Sequence, residues 1–169
     1  ILQQVLEPGG HLLLTDTGED IAPHANFRLV ATANTLGFGS DSGLYASGTH
    51  VLNFSGLDRW DVVVHLDFLP AKQEVELLHS RHPSVSKDLL KRMVKCAGDL
   101  RKAHAEEQLT TVISTRRLLA LCARLERGND FKRALTVCVL NKVPPEDVKV
   151  IAETFDHHVG PTAKQQSAA

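Results

Sequence analysis

Three features are scarce in this sequence: cysteine, an excess of charge of one sign, and long hydrophobic runs. Lysine and arginine together number 19 against 20 aspartates and glutamates, a net charge of -1. This balance gives no electrostatic reason to expect a nucleic acid or an anionic membrane surface as a partner. No apolar run approaches the roughly 18 residues of a membrane-spanning helix, and no signal segment opens the chain. We therefore expect a cytoplasmic protein that binds neither nucleic acid nor membrane.

Cysteine and histidine give no pattern typical of a metal site. The sequence has three cysteines, and none belongs to a Cys-x-x-Cys pair: Cys96, Cys122 and Cys138. The odd number and wide spacing disfavour disulfides and zinc, so we predict buried free thiols. Two of the nine histidines, His157 and His158, are adjacent and on a helix would diverge by about 100°. No metal site is predicted.

The sequence also lacks the spacings of a self-contained active site. We find no nucleophile elbow, no paired catalytic carboxylates and no Cys-His dyad. Residues 35–49 form a glycine-rich stretch, TLGFGSDSGLYASGT. No lysine follows its glycines to reach a phosphate, so it is not a Walker A loop. A surface loop is the simpler interpretation.

The first 70 residues have the pattern of an α/β segment. A helix end at Ile1–Leu6 stops at Pro8-Gly9-Gly10, and HLLLTD followed by a Gly18 turn predicts a β-hairpin over His11–Ile21. Two apolar runs, Phe27–Ala33 and Asp61–Leu69, predict buried strands, and Asn53–Trp60 predicts a short helix. The chain begins at Ile1 without a methionine, and its hydrophobic pattern starts inside a helix. We therefore expect a fragment of a longer protein.

The pattern becomes helical from Ala71 onward. Apolar residues recur at three-and-four spacing in five segments: Ala71–Arg81, Ser86–Glu107, Ser114–Arg127, Phe131–Leu140 and Pro144–Val159. Ser86, Ser114 and Asp130 are suitable N-caps. The final residues 161–169, PTAKQQSAA, are small and polar and predict a disordered tail.

Four polar residues are candidates for binding a phosphate ligand. Asn34 ends a predicted buried strand, where open α/β sheets bind ligands, or it caps its own turn. Arg59 precedes a predicted strand and either presents its guanidinium to a phosphate or pairs with a neighbouring aspartate. Arg116 and Arg117 lie in the first turn of a predicted helix, where cations are unfavourable unless an anion is bound; a solvated surface pair is the alternative.

Several segments together resemble a known family. VLEPGGHLLLTDTGEDIAPHANFRLVATANTLGFGSDSGLYASGTHVLN, GLDRWDVVVHLDFLPAKQEVELL and ISTRRLLAL resemble the C-terminal half of an AAA+ ATPase of the MoxR-like group. Within that group the chain is similar to the small ATPase subunits of aerobic cobaltochelatases. The resemblance extends from about Ile1 to Gly160.

The resemblance implies a fold and a role for each candidate residue. Residues 1–70 would be the C-terminal part of a P-loop NTPase core with a parallel sheet and a β-hairpin insertion, and 71–160 an all-α lid. Asn34 falls on the sensor-1 residue that positions the attacking water, and Arg59 on the arginine finger donated to a neighbouring subunit. Arg116 falls on the sensor-2 position, but Thr115 replaces the family's proline, so Arg117 could serve instead.

The implied activity is ATP hydrolysis in a ring, expected to be a hexamer, that remodels a partner. For a cobaltochelatase the partners would be a von Willebrand A-domain subunit and a large subunit that inserts cobalt into a corrinoid. ATP and Mg²⁺ would be held mainly by Walker A and Walker B segments preceding Ile1, so we expect this chain alone to be inactive. A MoxR-type chaperone for another metalloenzyme and a non-enzymatic helical interaction domain are the alternatives.

Overall fold

The computed structural model describes residues 2–33 and 58–160, and the chain divides into two compact units, Ile1–His65 and Leu66–Ala169. The first unit contains helix α1 (Leu2–Val5) and strands β1 (Leu12–Leu14) and β2 (Glu19–Ile21). The second contains α2 (Ala71–Arg81), α3 (Lys87–Ala105), α4 (Thr115–Glu126), α5 (Phe131–Cys138), a 3-10 helix (Leu140–Lys142) and α6 (Pro145–Val159).

The β-hairpin predicted near the start of the chain is confirmed. Strands β1 and β2 are antiparallel, with Leu12 opposite Ile21 and Leu14 opposite Glu19. Gly18 has a φ of +72°, which a residue without a Cβ adopts at little cost. The glycine therefore allows the chain to reverse between the two strands.

The structure does not show the two strands predicted outside the hairpin. Residues 27–33 and 62–70 have no regular secondary structure, and Val30, Val62 and Leu66 are 85%, 75% and 83% exposed. A strand is stabilised by backbone hydrogen bonds to a neighbour, and a parallel strand is normally covered on both faces. Among the described residues the sheet has two strands and is antiparallel, so no parallel sheet is seen there.

The helical predictions for the second unit are confirmed closely. Helix α2 has the predicted bounds, and α3, α4, α5 and α6 lie within or close to theirs. Ser86, Ser114 and Asp130 each accept a hydrogen bond from a backbone N–H in the first turn of the helix that follows. These caps satisfy amides that have no partner within the helix.

The core of the second unit is an apolar cluster between its helices. Fully buried members from different helices include Leu78, Leu90, Met93, Leu121 and Phe155. The rings of Phe131 and Phe155 lie 6.2 Å apart in a tilted arrangement that aromatic pairs favour. Burying this cluster holds α2 to α6 together.

The cysteine prediction is confirmed as well. Cys96, Cys122 and Cys138 are all buried and free. Burial raises the pKa of Cys96 and of Cys122 to about 12, helped by Asp99 near the first and Glu126 near the second. Such thiols stay protonated and pack as small apolar side chains.

Some predictions concern residues outside the part that the structure describes. Asn34, the glycine-rich stretch 35–49, the tail 161–169 and most of the helix predicted over Asn53–Trp60 are among these. They remain predictions. In the helices that are described, none is long and apolar enough to cross a membrane.

Candidate functional site

Arg116 and Arg117 are adjacent in the first turn of α4 but lie in different environments. Ser114 caps the helix and accepts a hydrogen bond from the Arg117 backbone N–H, at 3.4 Å from its Oγ. Arg116 is exposed, whereas Arg117 is partly buried. The two arginines are therefore not interchangeable in this fold.

The Arg117 guanidinium contacts the protein itself. Its Nη2 donates a hydrogen bond of 3.3 Å to the carbonyl oxygen of Lys142, at the end of the 3-10 helix. Its Nη1 is buried and has no hydrogen-bond partner in the described part of the chain. Burial lowers the pKa of Arg117 below its usual value. This side chain joins α4 to the connection between α5 and α6.

Arg116 presents an exposed guanidinium in the first turn of α4. In the described ranges, no hydrogen bond or ion pair joins its guanidinium to another residue. The first turn of a helix carries a partial positive charge, which Arg116 adds to. An exposed guanidinium at this position attracts anions, and its planar fork matches the oxygens of a phosphate.

Arg59 lies in the first unit, in a turn with Asp58. Its Nε donates a hydrogen bond to Glu7 Oε1, which also forms an ion pair with it. The Arg59 side chain is 30% exposed and that of Glu7 is 50% exposed. From the sequence, Arg59 is predicted to bind a phosphate or to pair with a neighbouring aspartate. The structure gives it another acidic partner, Glu7, which lies 52 residues away along the chain.

A charged network in the second unit was not predicted from the sequence. Glu74 in α2 is completely buried, and Arg101 in α3 donates to both of its carboxylate oxygens at 2.8 Å. Thr115 donates a third hydrogen bond, of 2.6 Å, to Glu74. A sequence signal exists, because Glu74 precedes Leu78 by four residues and thus shares the apolar face of α2. A charge at such a position indicates a buried partner.

The described residues show no arrangement typical of a metal centre. Residues 2–33 and 58–160 contain no group of three or more histidine, cysteine, aspartate or glutamate side chains placed to hold an ion. His82 Nδ1 and the Ser84 hydroxyl both contact the Glu126 carboxylate, at 2.8 and 2.6 Å. Since serine and histidine bind the carboxylate separately, this trio is not a nucleophile activated by a base.

Comparison with known proteins places the chain in a family. The family described as "CbbQ/NirQ/NorQ C-terminal" matches residues 74–159, half of the chain. Aerobic cobaltochelatase subunit CobS of a Sinorhizobium species is 34% identical over 172 residues, covering 99% of this chain and 52% of that protein. The chain thus spans about half the length of the curated relative that it matches. No solved structure matches it. The chain belongs to the CbbQ/NirQ/NorQ C-terminal family, which is part of the MoxR-like group of AAA+ proteins.

Proposed function

We propose that this chain is the C-terminal half of a ring-forming AAA+ ATPase that serves as the ATPase subunit of a cobaltochelatase. The complete protein would couple ATP hydrolysis to remodelling of a partner during cobalt insertion into a corrinoid ring. The observation that carries this proposal is the similarity to CobS, which extends over 99% of the chain. The reaction on the corrinoid would belong to a separate large subunit.

The exposed apolar residues of the first unit support this assignment. Val62, Val63 and Val64 are more than half exposed, which is unusual for three consecutive β-branched residues. In a complete AAA+ core, Phe27–Ala33 and Asp61–Leu69 would be strands of a parallel sheet, and helices would cover these side chains. The preceding half of the protein would supply the neighbouring strands.

Each candidate residue takes one role in this ATPase. Asn34 orients the attacking water, and Arg59 reaches the nucleotide of a neighbouring subunit and stabilises charge on the transferred phosphoryl group. Arg116 contacts the phosphates of its own subunit's nucleotide as sensor 2, because its guanidinium is exposed while that of Arg117 is partly buried. The phosphate-binding loop and the residues that hold Mg²⁺ belong to the preceding half.

The proposed assembly follows from a site shared between subunits. A finger donated to a neighbour requires a closed ring with head-to-tail interfaces, for which we propose a hexamer. The ring would work in the cytoplasm with a von Willebrand A-domain subunit and the large chelatase subunit. Neither nucleic acid nor membrane would take part.

ATP turnover by mixed rings of the full-length protein tests this proposal. Arg59→Ala and Arg116→Ala should each abolish most turnover, since one removes the neighbour's contribution to the site and the other the subunit's own. In an equal mixture, about a quarter of the randomly assembled interfaces combine an intact Arg116 with an intact Arg59, so turnover should reappear. Two inactive variants that remain inactive when mixed would overturn the shared site.

A MoxR-type chaperone for a different metalloenzyme is the second candidate. The family description that matches residues 74–159 supports it, because this description names CbbQ, NirQ and NorQ and no chelatase. A cobalt-insertion assay with a purified chelatase large subunit and a metal-free corrinoid separates the two. ATP-dependent cobalt insertion supports the chelatase, whereas ATP turnover without insertion supports the chaperone. Absence of ATP binding by the full-length protein would leave a helical interaction domain.

A further inference from the structure

The buried pair of Glu74 and Arg101 connects three parts of the second unit. Arg101 Nη1 and Nη2 form a two-pronged contact with the carboxylate, and Arg101 Nε donates a 2.7 Å hydrogen bond to the carbonyl oxygen of Ile113. The same guanidinium lies 3.9 Å from the ring centroid of Phe68, in the segment that enters α2. All three nitrogens of the Arg101 guanidinium therefore have hydrogen-bond partners.

This network holds the start of α4 on both sides of its N-cap. Ile113 precedes the cap Ser114 and is bound by Arg101, while Thr115 follows the cap and is bound by Glu74. The Thr115 hydroxyl lies 2.6 Å from Glu74 Oε1, and Glu74 itself has no exposed surface. Hydrogen bonds to a buried carboxylate are stronger and more directional than those in water.

We propose that the Glu74–Arg101–Thr115 network positions Arg116 for the nucleotide, an inference that rests on the proposed function. Arg116 directly follows Thr115 in the first turn of α4. Its own side chain is exposed and is not oriented by a bond to the described residues. The direction in which it leaves the helix is thus set by the backbone, and the backbone at this point is fixed by Thr115 and Ile113. Thr115 is a positioning residue.

Thr115 allows this idea to be tested without removing the buried charges. Thr115→Val removes the hydroxyl and keeps the side chain's shape, and Glu74 still has both hydrogen bonds from Arg101. Thr115→Pro also removes the hydroxyl but fixes φ at a position where helices favour proline. Ser114 already has the extended backbone, φ -77° and ψ 156°, that a following proline requires.

The experiment measures binding of a fluorescent ATP analogue, with Mg²⁺, to the full-length protein. Thr115→Val should weaken binding about threefold to tenfold, the range for one lost hydrogen bond. Thr115→Ser and Thr115→Pro should bind like the wild type. Thr136→Val is the matched control, because the Thr136 hydroxyl donates to Lys132 of its own helix. Thermal unfolding of each variant checks that the helical unit is intact.

Repeating Thr115→Val in the Arg116→Ala background decides between positioning and direct contact. If Thr115 acts through Arg116, the threonine change has no further effect once Arg116 is absent. An equal loss in both backgrounds, or failure of Thr115→Pro to restore binding, would overturn the inference and leave the proposed function intact. If Arg116→Ala itself binds the analogue like the wild type, the sensor-2 role fails, and the positioning role fails with it.

Discussion

The hydroxyl of Thr110 donates a 2.8 Å hydrogen bond to the carboxylate of Asp147, joining the loop before α4 to the first turn of α6. Asp147 is only 3% exposed. Burial by itself would raise the pKa of Asp147, but hydrogen bonds from Thr110 and Thr111 lower it below its usual value. The ionised carboxylate is consequently the form that the folded protein prefers.

A pH-dependent contribution to stability follows from this lowered pKa. The contribution of Asp147 is present above its unfolded pKa of about 4 and is lost as pH falls through the lower folded pKa. We expect Asp147→Asn to reduce the free energy of unfolding by about 1–2 kcal/mol at pH 7 and by less at pH 3. Urea unfolding followed by circular dichroism at 222 nm measures this difference. Glu146→Gln is the control, since Glu146 is exposed in the same first turn and shares the helix-dipole effect.

The ion pair between Glu74 and Arg101 should be strongly coupled. Arg101→Leu leaves a buried carboxylate with only Thr115 as a partner, so we expect a loss of about 3–5 kcal/mol in the free energy of unfolding. Replacing both residues with leucine should cost clearly less than the sum of the single losses, since no buried charge then lacks a partner. Single and double losses that add within about 0.5 kcal/mol would contradict the coupling.

The cysteines provide a chemical probe of the helical core. Cys96 and Cys122 are fully buried, and their pKa values of about 12 leave almost no thiolate at pH 8. A thiol reagent such as Ellman's reagent should label the folded chain only as fast as it unfolds, and all three thiols should react in guanidinium chloride. Rapid labelling of either cysteine in the folded chain would mean that α3 or α4 opens locally.

The helical unit could be predicted because its signals are local. Ser114 caps a helix that starts one residue later, and the apolar spacing of α2 lies within eleven residues. Strands outside the hairpin could not be predicted from local signals, because an apolar run such as Asp61–Leu69 forms a strand only where another segment supplies backbone hydrogen bonds. The apolar side chains of this run are exposed in the structure.

The candidate site was only partly accessible to sequence reasoning for the same reason. Arg116 and Arg117 were recognised as a pair, but what distinguishes them is Lys142, 25 residues farther along the chain. Glu74 and Arg101 are 27 residues apart and were missed, because no local pattern connects an acid in one helix to a base in the next. Contacts of this kind become visible only when the helices are packed.

The difference between the two arginines of α4 gives the last prediction. Arg117→Ala removes the hydrogen bond to Lys142 and the packing of a partly buried side chain, so we expect the free energy of unfolding to fall by about 1–2 kcal/mol. Arg116→Ala removes an exposed side chain and should change stability by less than about 0.5 kcal/mol. Nucleotide binding by the full-length protein should show the reverse order, with the larger loss for Arg116→Ala.

Two measurements on the same pair of variants therefore assign the roles. Circular dichroism at 222 nm reports the stability of the helices, most of which lie in the second unit, and titration with nucleotide reports binding by the same variants. Arg117→Lys is the matched control for charge, because lysine keeps the cation and cannot reproduce the guanidinium fork. If Arg117→Ala abolishes nucleotide binding while Arg116→Ala preserves it, the sensor-2 position is Arg117.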